Sequence, residues 1–257
     1  MPAVRRDSPC HLPASWDEGL LLSGIADDLS QSVECDRLTR KNWDVASFRA
    51  LLTHEILSEY DASLFSRSLG ALRVPLSDDF RSFERDWLRD EQRHHRGFRW
   101  LYAKLYGDSV RKIDAELEHR AAELEVIRDF LQDEFSLLVL LAYDEIVTTK
   151  AYVRDFPIYD SFRRPELSKF IRLVARDEAF HFKRIVAMLR SRFAEKLGEV
   201  PATLGLVLAA DRVDRPYAAT FVLDHRGFAP ELLAAASCLL LRLCAPERQS
   251  AIVASQR

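Results

Sequence analysis

The sequence predicts an all-α protein, and three observations carry that reading. Apolar residues recur at spacings of three and four along four long segments, the period of one helix face. Only 8 glycines and 10 prolines occur in 257 residues, too few turn formers for a sheet protein with many reversals. Helix-starting and helix-breaking residues stand between the four segments and not within them. Nearly half of the chain is apolar and 30% is charged, a balance that fits one domain with a proper buried core. The expected organisation is an N-terminal arm over 1–43, a helical core over 44–198, and a C-terminal extension of the same domain over 199–257.

The arm has early prolines and no sustained period, with room for one short helix. The first long helix starts at Asp44 and shows Phe48, Leu51, Leu52, Ile56 and Leu57 on one face. It ends near Gly70, before Pro75. Ser77-Asp78-Asp79 caps the second, whose stripe reads Phe83, Trp87, Glu91, His94, Phe98, Leu101 and Leu105 and stops at Gly107. From Val110 to Gln132 the chain is acidic, with eight carboxylates between Asp114 and Glu134 against Arg120 and Arg128. This is the composition of a solvated crossover helix. The third long helix spans Glu134 to Asp155 with Leu138, Leu141, Glu145, Thr148 and Tyr152 in line, and Pro157 and Pro165 bracket the following loop. The fourth aligns Phe170, Val174, Glu178, His181, Ile185 and Leu189 and fades near Gly198 and Pro201. A last helix is expected from Pro230 to Cys244, and 203–224 carries no readable pattern.

Several function classes are disfavoured. A formal charge of −3 gives no general attraction to nucleic acid. Cys10, Cys35, Cys238 and Cys244 are far apart and form no CxxC pair, so a disulfide framework or a thiolate zinc site is not expected. The apolar stretch from Gly19 to Ala26 is short and flanked by acids, unlike an export signal. The run from Leu232 to Cys244 is too short for a bilayer and holds Arg242. The expected location is the cytoplasm, with no membrane partner.

The chemistry lies in two Glu-x-x-His pairs, Glu91 with His94 and Glu178 with His181. Residues three apart share a helix face, so each pair offers a carboxylate and an imidazole together. By composition about 0.5 such pairs are expected by chance, and three occur. The third, Glu116 with His119, lies in the acidic crossover without an apolar stripe and reads as a surface accident. The other two are embedded among Phe83, Trp87 and Phe98, and among Phe170, Val174 and Ile185. Glutamate is rarely buried without compensation, and no arginine stands at the centre of these stripes. Together with Glu145 and either Glu55 or Glu59, the set gives four carboxylates and two imidazoles, a shell suited to iron or manganese. Each pair is expected to serve one ion, with the lone glutamates bridging. Matching depths along the hairpins slightly favour Glu55 over Glu59.

Four helices in two hairpins with a long crossover describe a ferritin-like bundle, and the motifs resemble the soluble acyl-carrier-protein desaturases of the ferritin-like di-iron group. Trp87-Leu-Arg-Asp-Glu91-Gln-Arg-His94 is similar to that family's second-helix motif. His54-Glu55-Ile-Leu-Ser-Glu-Tyr60 resembles its first-helix segment, with Glu55 in the ligand place. Glu145-Ile-Val-Thr148 and Asp177-Glu178-Ala-Phe-His181 resemble the third and fourth. The likeness covers roughly 48–190 and departs at Ala179-Phe180, where polar residues are usual. His94-His95-Arg-Gly97-Phe98 also resembles aldehyde-deformylating oxygenases on the same bundle.

The resemblance implies two iron ions, O2 as co-substrate, and attack on an unactivated C–H bond in a dry cavity. Thr148 would donate a hydrogen bond near the oxygen site, or else bond back to its own helix. Trp87 and Asp177 would carry electrons, or act as a core tryptophan and an acceptor behind a ligand; Tyr102 and Tyr152 read as packing. No nicotinamide or flavin fingerprint is present, so a ferredoxin or similar donor is implied. Ten basic against four acidic residues from Arg163 to Lys196 would suit an acidic donor or an acyl-carrier protein. A homodimer is expected. Three activities remain open: an acyl desaturase or oxidase, an oxygenase of a small metabolite such as an amine or aldehyde, and non-enzymatic iron handling.

Overall fold

The computed structural model describes residues 15–25, 45–72, 74–213, 219–225 and 227–245, and every regular element among them is helical. In chain order these are α1 (Glu18–Ser23), α2 (Val45–Leu72), α3 (Asp78–Tyr106), α4 (Val110–His119), α5 (Glu134–Ser161), α6 (Pro165–Arg192), α7 (Val200–Asp211) and α8 (Pro230–Cys244). Short 3-10 turns lie at Gly107–Ser109, Glu125–Leu131 and Ala194–Glu199.

The helix boundaries follow local chemistry. Ser77 accepts from the Phe80 amide at 3.1 Å to start α3, and Asp133 accepts from Ser136 to start α5. Each satisfies an amide that has no partner inside its helix. Gly107 closes α3 with φ near 55°, where a glycine carries no steric cost. Pro165, Pro201 and Pro230 stand in the first turns of α6, α7 and α8, where the missing N–H is not needed.

Two boundaries differ from expectation. Pro157 does not end the third long helix, because α5 runs through it to Ser161. The carbonyl it leaves without a helical donor belongs to Val153, a residue that is 50% exposed. Pro201 starts α7 instead of marking an end, so the part of the unassigned stretch up to Asp211 is helical. The acidic crossover is also not one solvated rod. It divides into α4 and the Glu125–Leu131 turn, burying Ile113, Leu117, Ile127 and Leu131 and pinned where Arg120 donates twice to buried Asp61.

Connections over 73–77 and 162–164 are too short for anything but antiparallel neighbours, so α2 with α3 and α5 with α6 form two hairpins. They face each other through α3 on α6 and through Tyr152 of α5, which reaches Glu55 and Glu59 of α2. At the contact of α3 with α6, a Cβ on Gly97 would lie 2.3 Å from the Phe170 ring. Two apolar clusters fill the interior. One is built around Phe65, Phe83, Trp87 and Leu138, the other around Phe48, Ile56, Phe98 and Phe170. Helix α1 lies across α3 and α6, while α7 and α8 lean on α5. Among the described residues no helix is long and apolar enough to cross a membrane.

Candidate metal centre

Six buried polar residues from the four long helices gather in the interior. Helix α2 contributes Glu59, α3 Glu91 and His94, α5 Glu145, and α6 Glu178 and His181, all buried. They form two interlocked groups, Glu59-Glu91-His94-Glu178 and Glu91-Glu145-Glu178-His181. His94 turns Nδ1 toward Glu59 Oε2 at 3.3 Å, Glu178 Oε1 at 3.0 Å and Glu91 Oε2 at 3.8 Å. His181 turns Nδ1 toward Glu91 Oε1 and Glu145 Oε2, both at 3.3 Å, and Glu178 Oε2 at 3.5 Å.

Two expectations change here. Glu59, not Glu55, is the α2 residue in the cluster; Glu55 stands one turn away and is linked to Glu59 through Tyr152. The glutamates shared between the two halves are Glu91 and Glu178, each presenting one oxygen to each imidazole. The lone glutamates Glu59 and Glu145 each meet a single imidazole. The reason is depth: the motif helices α3 and α6 pack directly on each other, so their carboxylates occupy the centre.

The groups behind the cluster fix its orientation. Asp177 Oδ2 lies 3.5 Å from His94 Nε2 and also receives Arg93 at 2.7 Å and the Trp16 indole at 2.6 Å. Asp90 Oδ2 lies 3.2 Å from His181 Nε2. The arrangement is crossed, since the aspartate before each motif glutamate holds the histidine of the opposite helix. Asp177 was expected in such a place. Asp90 was not, although the spacing Asp-Glu-x-x-His repeats in both helices and could have pointed to it. Trp87 donates to Glu145 Oε1 at 2.8 Å and packs edge-on against Phe221. Trp16, in the N-terminal arm, stacks on His94 and carried no sequence signal.

Tyr152 does more than pack, since its hydroxyl is shared between Glu55 and Glu59. A phenol has one proton and cannot serve two carboxylates. Burial pushes Glu55 up to about 8, so it keeps its own proton and closes the chain Glu55–Tyr152–Glu59. Tyr102 instead accepts from Arg49 Nε at 2.9 Å. Thr148 lines the cavity beside the cluster with Glu59, Glu145, Glu178 and Tyr152. The threonine bonded back to its helix is its neighbour Thr149, which donates to the Glu145 carbonyl at 2.7 Å. Glu116 and His119 are exposed on α4, away from the site.

The cluster is electrostatically incomplete. Burial, with the charges of Glu178 and Glu59, pushes Glu91 well above the carboxylate range, and burial does the same to Glu145. Burial opposes a charge on His94 and His181, yet the carboxylates around them together outweigh it, Glu59, Asp177 and Glu178 at His94 and Glu145, Asp90 and Glu178 at His181, and hold both imidazoles well above their ordinary value. Among the described residues, ion pairs join these four carboxylates only to the two imidazoles. Glu59 Oε2, Glu91 Oε1, His94 Nδ1 and Glu178 Oε1 have no hydrogen-bond partner, which is costly in a dry interior. Two divalent cations would neutralise four carboxylates while leaving both imidazoles neutral. Ligands sharing one ion at about 2.1 Å stand about 3.0–3.4 Å apart, close to the spacings around each Nδ1.

Four of the ten basic residues from Arg163 to Lys196 are paired internally. Arg172 pairs with Asp160, Arg176 with Asp177, Arg184 with Asp86, and Arg192 with Glu134. No protein-family model matches the chain, and no curated protein or solved structure is significantly similar to it.

Proposed function

We propose that this chain is a non-haem di-iron, O2-dependent oxidoreductase built on a ferritin-like bundle. The observation that carries the reading is the pair of buried imidazoles, each facing three carboxylate oxygens, with Glu91 and Glu178 common to both. Glu59, Glu91, His94 and Glu178 would hold one ion, and Glu91, Glu145, Glu178 and His181 the other. Iron, when bound there, supplies the capacity to reduce O2 and oxidise an organic substrate.

The chain's own residues support that chemistry in separable ways. Asp177 and Asp90 hold the imidazoles with Nδ1 turned inward. The Trp87 indole fixes one oxygen of Glu145. Phe83, Phe98, Phe170 and Val174 exclude water on both sides. Thr148 offers a hydroxyl proton at the cavity wall, and the Glu55–Tyr152–Glu59 chain carries a further proton to the edge of the cluster. A ferredoxin-like donor supplies electrons, and the functional unit is a homodimer.

The cavity beside the cluster has a volume of about 30 Å³ and is walled by His54, Glu55, Ser58 and Asp224 together with Ala151, Phe221 and Phe228. This mixed lining is compatible with an acyl chain and with a small amine or aldehyde, so the substrate class is decided by turnover. The deciding experiment is single turnover of the iron-loaded, reduced protein with O2 and a panel of amines, aldehydes and carrier-bound acyl chains. Oxygenated or desaturated product from any of them supports the oxidoreductase, and an amine product fixes the class. Iron oxidation with no product from the whole panel would make the protein an iron-handling one.

A further inference from the structure

Asp144 precedes Glu145 on α5, so its side chain leaves the helix about 100° away from the cluster. It points to the segment 219–225, where its Oδ1 accepts from the Leu223 amide at 3.0 Å. There it meets Asp224 and His225, and one oxygen of each aspartate with His225 Nε2 forms a compact group. His225 Nε2 lies 3.4 Å from Asp144 Oδ1 and 3.7 Å from Asp224 Oδ1. His225 is 3% exposed, and its Nε2 has no hydrogen-bond partner.

The opposite edge of the ring is anchored. His225 Nδ1 stands 3.1 Å from Asp211 Oδ2, which also receives the Tyr143 hydroxyl at 2.7 Å. With the Nδ1 proton given to Asp211, the Nε2 lone pair faces two carboxylate oxygens, an arrangement that either a proton or a metal cation in the gap must relieve. The second oxygen of Asp224 is already engaged by Ser58 at 2.7 Å and His54 at 3.1 Å, which leaves Oδ1 free for that role. A carboxylate-held histidine with two further carboxylates is a metal-binding pattern. Ligands about 2.1 Å from a shared ion at a tetrahedral angle stand about 3.4 Å apart.

We propose that Asp144, Asp224 and His225 form a third, mononuclear site for a divalent cation such as Mn2+, Fe2+ or Zn2+, separate from the glutamate cluster. Its ligands come from α5 and from the segment before α8, and it shares no residue with the other site. Asp144 and Asp224 also line the cavity that reaches Glu145 and Glu59, so both sites open onto one space. A protonated His225 serving only as an ion-pair partner is the competing account. It would aim its Nε2–H at one carboxylate, and neither oxygen is so aligned.

Anomalous diffraction from crystals of the full chain soaked in Mn2+, and separately in Zn2+, tests the site without any substitution. A peak among Asp144, Asp224 and His225, distinct from those among the glutamates, is the expected result. Absence of density there with both metals overturns the proposal, whatever is seen at the glutamate cluster. In solution, His225→Ala and Asp224→Asn should each lower bound Mn2+ by one ion per chain in equilibrium dialysis. Glu178→Ala should retain the ion at His225. Unchanged stoichiometry in a cooperatively melting His225→Ala protein would also refute it.

Discussion

Glu55 and Glu59 show what one turn of helix decides. Four residues rotate a side chain by only about 40°, so periodicity placed both on the same face. Depth along the hairpins and the likeness of the segment from His54 to Tyr60 both favour Glu55, but depth depends on helix ends that turn residues mark poorly. The structure puts α5's end at Ser161, beyond the expected Asp155, and α2's at Leu72. Glu59→Ala should therefore lose at least one of two irons by metal analysis of the purified variant, while Glu55→Ala keeps both. Retention by the first with loss by the second would return the ligand role to Glu55. Asp90 and Asp177 act through the imidazoles they hold. Asp90→Asn should weaken metal affinity by about 10–100-fold while preserving the stoichiometry at saturation, as read by competition with a chromophoric chelator.

The long helices were legible in the sequence because each carried a periodic stripe, and in α3 the cap and the stop agreed with it. Ser77, the stripe from Phe83 to Leu101, and Gly107 bound α3 where expected, and Pro230 to Cys244 is α8 residue for residue. The motif histidines were legible for the same reason, since their stripes were otherwise apolar. What stayed hidden was tertiary. Helix α7 has apolar residues on nearly every side and no periodic face to read. The meeting of Asp144 with His225 joins positions 81 residues apart, which no local pattern reports. The sharing of Glu91 and Glu178 depends on how closely α3 and α6 approach, and Gly97 sets part of that approach. Gly97→Ala should drive its methyl into Phe170 and cost about 1–3 kcal/mol, measurable as a lower urea midpoint with unchanged slope. A neutral result would mean that Phe170 gives way without loss.

At the scale of the molecule, two apolar halves are held around a polar centre that is stable only when its charge is answered. In the metal-free protein that answer must be protons. Glu55 sits near 8 through burial, with Glu91, Glu145, His94 and His181 also held above their ordinary values. A group with a raised folded pKa contributes most below its unfolded value, and that contribution is lost as pH rises through the folded one. All five groups act in the same direction, so the chelated protein should lose thermal stability from about pH 5 to 8. Binding to the folded state alone stabilises, so metal should raise the melting temperature most at the alkaline end. Calorimetry with chelator and with Mn2+ at three pH values checks both statements. A chelated protein equally stable at both ends would show that the centre needs no cation.

The two indoles at the centre have an optical consequence. Trp16 stacks on His94 and Trp87 bonds to Glu145, so each half of the cluster carries its own fluorophore. A transition-metal ion with a partly filled d shell quenches indole emission at such separations. Filling of the two halves, together or in order, would thus be written in the protein's native emission, and Trp16→Phe and Trp87→Phe would separate the two signals without any attached dye.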